Sequence, residues 1–177
     1  MKLKNIRAMV ITSVCIALGV ALPLALHTIP NAGSIFLPMH IPVLLCGLVC
    51  GWPYGLVCGL ITPLLSSLST GMPPIAILPS MIIELAVYGF VAGFLMQRIK
   101  TKEKLSALYI SLLGAMLAGR LVFGVLNALI FRAGVYSFEL WLLAAFITAL
   151  PGIVLQLIIL PVLVLALEKA GLSKARG

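Results

Sequence analysis

Charge is scarce in this chain, and acid is scarcer. The 177 residues hold four acidic side chains, all of them glutamate (Glu84, Glu103, Glu139 and Glu168), and no aspartate. Its absence removes the commonest ligand of Mg²⁺-dependent lipid enzymes. Charged residues make up 9% against 63% hydrophobic, with a mean hydropathy of +1.26, well outside the range of soluble domains. There are two histidines and no GxxxxGK[ST], GxSxG or HExxH pattern. A P-loop and the common nucleophile–base sets are therefore excluded, and no redox or haem-attachment motif takes their place. The chain reads as a non-enzyme without a cofactor. Its net charge of +8 is split into short clusters flanking apolar runs, the pattern of membrane topology rather than of a phosphate-binding face. Nucleic acid is excluded as a partner; the lipid bilayer is the expected solvent.

Four cysteines, Cys15, Cys46, Cys50 and Cys58, lie in apolar surroundings. Cys46 and Cys50 share a helix face at i, i+4, yet no His, Asp or Glu accompanies them at metal-ligand spacing. They are read as small helix-packing residues, with no metal site.

Apolar runs cover 8–26, 41–68, 75–96, 105–131 and 140–167. The first follows Lys2, Lys4 and Arg7 as in a signal peptide, but at about 19 residues it exceeds the usual 7–15 and reads as an uncleaved membrane helix. The second is interrupted by Gly51-Trp52-Pro53-Tyr54-Gly55, which is turn chemistry. Charge decides whether it counts as one span or two. Lys2, Lys4 and Arg7, then Arg98, Lys100, Lys102 and Lys104, then Lys169, Lys174 and Arg176 each mark a cytoplasmic segment, and only an even number of spans puts all three on one side. Arg132 alone among the basic loop residues is left outside. The expectation is an all-α integral membrane protein, a single domain over 1–177. It forms a six-transmembrane-helix bundle with N- and C-termini cytoplasmic and spans near 8–28, 38–51, 54–70, 75–97, 105–131 and 139–167. Segments 27–40 (HTIPNAGSIFLPMH) and 66–74 (SSLSTGMPP) become external loops suited to covering a cavity.

Two charges fall inside apolar runs: Glu84 and Arg120. An ionisable side chain at bilayer depth costs roughly 2.5–3.5 kcal/mol on insertion scales and survives by facing a partner or a cavity. At ~1.5 Å per residue, Glu84 lies roughly 14 Å and Arg120 roughly 17 Å from the outer face, on consecutive antiparallel helices. Tyr88 (i+4 from Glu84) and Asn127 (i+7 from Arg120) share their faces. These residues describe a polar cleft open to the outside; His40, which with His27 brackets the first external loop, is read first as structural and second as a further ligand contact. Two readings stay open: a site that touches ligand, or an ion pair that locks two helices together. The arginine fork suits a carboxylate or phosphate and leans toward a carboxylate-bearing ligand. His27 is read as structural. Gln156 is placed deep toward the cytoplasm, in a helix–helix hydrogen bond.

Small residues recur at four-residue spacing. Ala17, Ala21 and Ala25 form a stripe on a terminal helix, well placed to meet another subunit; Gly47/Gly51, Gly55/Gly59 and Gly89/Gly93 suit internal packing.

Size, six spans, the AxxxA pattern Ala17-Leu-Gly-Val-Ala21, and the stretches FLPMHIPVLLCGLVCGWPYG and LLSSLSTGMPP together resemble the substrate-binding S components of energy-coupling factor (ECF) vitamin transporters. The resemblance implies a multi-pass protein of the bacterial cytoplasmic membrane. It would bind a vitamin or related micronutrient in an outward-facing pocket built from spans 4–6 and the external loops. It also implies docking through the AxxxA face, at Ala17 and Ala21, onto a membrane T subunit carrying two cytoplasmic ATPases. ATP hydrolysis there topples the S component in the membrane, which releases substrate inward. Family substrates include riboflavin, folate, thiamine, biotin, pantothenate, niacin, pyridoxine and cobalamin. Glu84, Arg120, Asn127, Tyr88 and His40 are pocket candidates from depth and polarity. The rival readings are a self-sufficient small secondary transporter or channel, an integral-membrane enzyme using Glu84 or His40 as a base, and a purely structural subunit.

Overall fold

The computed structural model describes residues 2–101, 103–131 and 137–172. Of the basic residues behind the topology argument, Lys102, Arg132, Lys174 and Arg176 lie outside them. All regular structure among the described residues is helical: α1 (Lys2–Ala25), α2 (Ala32–Phe36), α3 (His40–Cys50), α4 (Trp52–Thr70), α5 (Leu78–Arg98), α6 (Lys104–Leu126), α7 (Phe138–Leu142) and α8 (Leu150–Lys169). Wider π-helical turns extend α6 over Asn127–Phe131 and join α7 to α8 over Leu143–Thr148. Five stretches are long and apolar enough to cross a bilayer: Asn5–Ala25, Ala32–Cys50, Leu78–Arg98, Lys104–Ile130 and Leu150–Lys169. α4 has comparable length, 19 residues, but its prolines, glycines and hydroxyls dilute its apolar character.

Gly51 makes the expected break. Its φ of 96° is costly for any residue with a Cβ, and Pro53 comes next in the first turn of α4, where no backbone donor is needed. Gly71 (φ 72°) ends α4, its N–H bonding to the Ser67 carbonyl at 2.9 Å.

Contacts gather several helix ends together. Cys50 Sγ lies 3.8 Å from the Ala8 carbonyl and Cys46 Sγ 3.4 Å from Thr12 Oγ1, joining the start of α1 to the end of α3. Gly51 abuts Gln97 near the end of α5. Lys104 at the start of α6 pairs with Glu168 at the end of α8. The cysteines do pack where α1, α3 and α4 meet: Cys15, Cys46 and Cys58 are all buried.

Backbone-to-backbone contact sets the core. α4 and α5 share the most extensive interface, with α3 against both. A Cβ added at Gly47 or Gly55 would collide with the Gly89 carbonyl, one at Gly89 with the Gly55 carbonyl, one at Gly59 with the Leu85 carbonyl, and one at Gly93 with the Trp52 nitrogen. The glycine pairs are internal packing, as expected. Elsewhere Leu113, Leu117, Leu121 and Val125 on α6, and Val154, Ile158 and Val162 on α8, recur every four residues and stand exposed. Such stripes suit lipid as the surrounding medium.

Two expectations need correction. The segment 27–40 is not simply a loop: it contains α2, framed by Asn31 and Leu37 at φ 60° and 50°, with Ala32, Leu37, Met39 and His40 buried. Gly152 permits this, because a Cβ there would lie 2.6 Å from the Ile35 carbonyl, so α8 carries α2 directly on its backbone. The run 139–167 is likewise not one continuous helix but α7, a π-helical stretch and α8.

Candidate functional site

The site is assembled from three helices. Glu84 stands six residues into α5, about 9 Å from its start at 1.5 Å per residue, shallower than the sequence depth count. Arg120 enters from α6, and His40 is the first residue of α3. Glu84 Oε1 lies 3.4 Å from Arg120 Nη1 and 3.8 Å from His40 Nε2. Tyr88, one turn beyond Glu84, meets His40 edge-on with ring centroids 5.1 Å apart and planes at 83°. Its hydroxyl lies beside Arg120. The other side of the tyrosine ring needs Gly119 on α6, where a Cβ would sit 2.7 Å from it.

These four side chains are sealed. His40 is 2% exposed, Glu84 3%, Tyr88 1% and Arg120 7%. The expected cleft open to the outside is therefore closed in this structure. A buried ion pair offsets its desolvation only when the remaining donors and acceptors are also satisfied. Here they are not: both imidazole nitrogens of His40, Glu84 Oε1, and Arg120 Nε and Nη2 have no hydrogen-bond partner. Buried polar groups left unmatched are few in folded proteins, and five atoms in one cluster mark it out. The cluster contains no nucleophile with an adjacent base. It is equipped to hold a polar group.

A family model for the ECF transporter substrate-specific component matches residues 7–164, a span that takes in every side chain of the cluster. The chain belongs to this family. No curated protein and no solved structure matched it.

The remaining predicted residues of this S component fall into two groups. Asn127 is buried, but its Nδ2 donates to the Phe123 carbonyl of its own helix at 2.8 Å. Among the described residues no hydrogen bond joins it to Glu84, Arg120, His40 or Tyr88. Ala17, Ala21 and Ala25 lie exposed on α1, between Val14, Leu18 and Leu24, which are exposed too. The opposite face of α1 carries Thr12, Cys15 and Gly19, all turned into the bundle. The alanine stripe thus makes no internal contact that would account for it. No group of three or more His, Cys, Asp or Glu among the described residues is arranged to hold a metal ion.

Three further residues bear on the site. Trp141 of α7 donates its indole N–H to the Arg120 carbonyl at 3.0 Å and rests on Gly124, where a Cβ would collide with the indole ring. With Leu121, Val125, Ala128, Ser137 and Phe138 it lines an apolar hollow of about 310 Å³ at the bundle surface. Its aromatic setting near a helix start was the available signal. Ser66 on α4 is fully buried with an unpartnered Oγ, and nothing in its local sequence distinguishes it. Gln156 is buried with an unpartnered Nε2. It stands one turn beyond Gly152, at the α2 end of the bundle, rather than deep at the other end, and its expected helix–helix hydrogen bond is not made.

Proposed function

We propose that this S component captures a water-soluble vitamin or related micronutrient from outside the cell. It then delivers the ligand inward when a membrane T subunit with two ATPases topples it at the expense of ATP. In this reading the chain crosses the bacterial cytoplasmic membrane six times. The end of the bundle that gathers Ala8, Gly51, Gln97, Lys104 and Glu168 faces the cytoplasm, and the cluster lies toward the outside. The observation that carries the binding half is the set of buried, unpartnered atoms on His40, Glu84 and Arg120. Tyr88 positions the imidazole, and Asn127 stands nearer the outer end of α6 as a further contact.

The decisive experiment is mass spectrometry of small molecules released from the gently purified chain, then titration of whatever is found. A stoichiometric micronutrient would establish the reading. An empty chain that also fails to bind a panel of vitamins would sink it, and Glu84–Arg120 would then be a helix lock.

The docking half rests on the unused face of α1. Replacing Ala17 or Ala21 with tryptophan adds a bulky ring where close backbone approach is required. Both variants are expected to bind ligand as the parent does and to be lost from the complex on affinity purification with the T subunit. Normal assembly by the two variants would remove α1 as the docking surface.

A further inference from the structure

We infer that Gln156 of α8 is a further ligand contact, closing the site on a fourth side, and that its amide donates to a ligand acceptor such as a carbonyl oxygen or a ring nitrogen. The inference rests on the binding-subunit reading and adds to it a residue and the kind of group that residue meets.

The sequence isolates this side chain. Between Leu150 and Leu167 it is the only polar one, and it falls on the inward stripe Gly152, Gln156, Leu160 and Val164, all buried. A leucine on that stripe would pack without needing a partner. Other buried polar residues are satisfied along their own helices: Thr12, Thr62, Ser111 and Asn127 each donate to the carbonyl four residues back. Gln156 does not. It is 1% exposed, and its Nε2 has no hydrogen-bond partner. A buried polar group left unmatched lowers stability, so the packing of the bundle gives no reason for an amide here.

Two contacts fix its level. Gly152 rests on Ile35 and Phe36, and α8 packs along α3. One turn further on, Gln156 therefore comes level with His40, four residues beyond Phe36. At the other end of the bundle Lys104 of α6 pairs with Glu168 of α8. Counted from that pair at 1.5 Å per residue, Arg120 lies about 24 Å and Gln156 about 18 Å along their helices, a difference of roughly one turn. Below Gln156, Leu160 and Val164 share one apolar core with Leu44 and Leu48 of α3 and Leu108 and Leu112 of α6. Gln156 stands where that apolar packing gives way to unmatched polar atoms: the imidazole nitrogens of His40 from α3, Glu84 Oε1 from α5, and Arg120 Nε and Nη2 from α6. Its own amide supplies the α8 side.

The test uses Gln156→Met, unbranched like glutamine but apolar, with Gln156→Leu in reserve if methionine does not fold. Each purified chain is titrated by calorimetry with riboflavin, folate, thiamine, biotin, pantothenate, nicotinate, pyridoxine and cobalamin, and with any molecule released from the parent. Each is also melted in detergent without ligand. Whichever probe binds the parent is expected to bind the variant at least tenfold more weakly. The ligand-free variant is expected to melt at or above the parent, because an unmatched amide has left the core. Leu160→Ala, one turn along the same stripe, is the control and is expected to do the opposite, melting lower with its affinity kept. Parental affinity in Gln156→Met would overturn the inference and leave the binding-subunit reading standing. Loss of affinity together with a lowered melting point supports the inference only where Leu160→Ala, melting lower still, keeps its affinity; loss in both overturns it. Failure of both glutamine variants to fold would make the amide structural and overturn it too. A parent that binds none of the probes and releases no small molecule removes the binding-subunit reading and this inference with it.

Discussion

Arg120→Ala is expected to weaken ligand binding tenfold or more, about 1.4 kcal/mol or above, and to lower stability by a larger amount. Two effects combine. The donors at Nε and Nη2, unmatched within the protein, are lost to the ligand. Glu84, 3% exposed, loses the charge that offsets its burial. Removing one partner of a buried pair costs about 3–5 kcal/mol because the other is left unpaired. Glu84→Ala is expected to act in the same direction for the converse reason. Titration of the ligand and a thermal melt in detergent separate the two effects. Affinities unchanged in both variants, with melting points lowered, would reduce Glu84–Arg120 to a structural link. Assembly with partner subunits is expected to survive, since neither residue lies on α1.

Gly89→Val is expected to prevent formation of the native bundle. Glycine at this position is demanded by its surroundings, since any Cβ would overlap the Gly55 carbonyl while Gly47 and Gly55 press on the Gly89 carbonyl itself. Overpacking a core that can shift a side chain costs about 1–3 kcal/mol. Here the atoms in the way are backbone, so relief requires two helices to separate along their length, at a cost above that range. Gly33 supplies the control, since a Cβ there would meet nothing within 4 Å, and Gly33→Ala is expected to melt with the parent. Size-exclusion profile and thermal stability in detergent read both variants. A Gly89→Val protein that elutes and melts normally would mean that the contact between α4 and α5 is looser than described.

Much of the membrane architecture was legible because it depends on local composition. The run 75–96 anticipated α5 to within a few residues, and Gly51 marked the break between α3 and α4 through its need for positive φ. Glu84 and Arg120 stood out because a charge inside an apolar run is anomalous in itself, and they do meet. His40 was harder. Its burial depends on Tyr88 and Glu84, more than forty residues later, and its own neighbourhood of Pro and Gly reads as a surface loop. The π-helical turns at Asn127–Phe131 and Leu143–Thr148 have no composition of their own. Gln156 was misplaced because the depth count ran from residue 139, whereas α8 begins at Leu150. The small-residue pairs could be recognised as contact points, but which would meet was a tertiary matter. Trp141 and Ser66 matter through a carbonyl and a burial that only the assembled bundle supplies.

The glycine seam of α3, α4 and α5 has a mechanical consequence. Where two helices touch through side chains, one can slide or rock against the other as rotamers exchange, and an internal gate can open along the joint. Main chain resting on main chain has no such slack: displacement of any one member would pull all three contacts apart together. These three helices therefore make one stiff body. For the delivery proposed above, that stiffness favours tilting of the whole molecule over an internal gate between them.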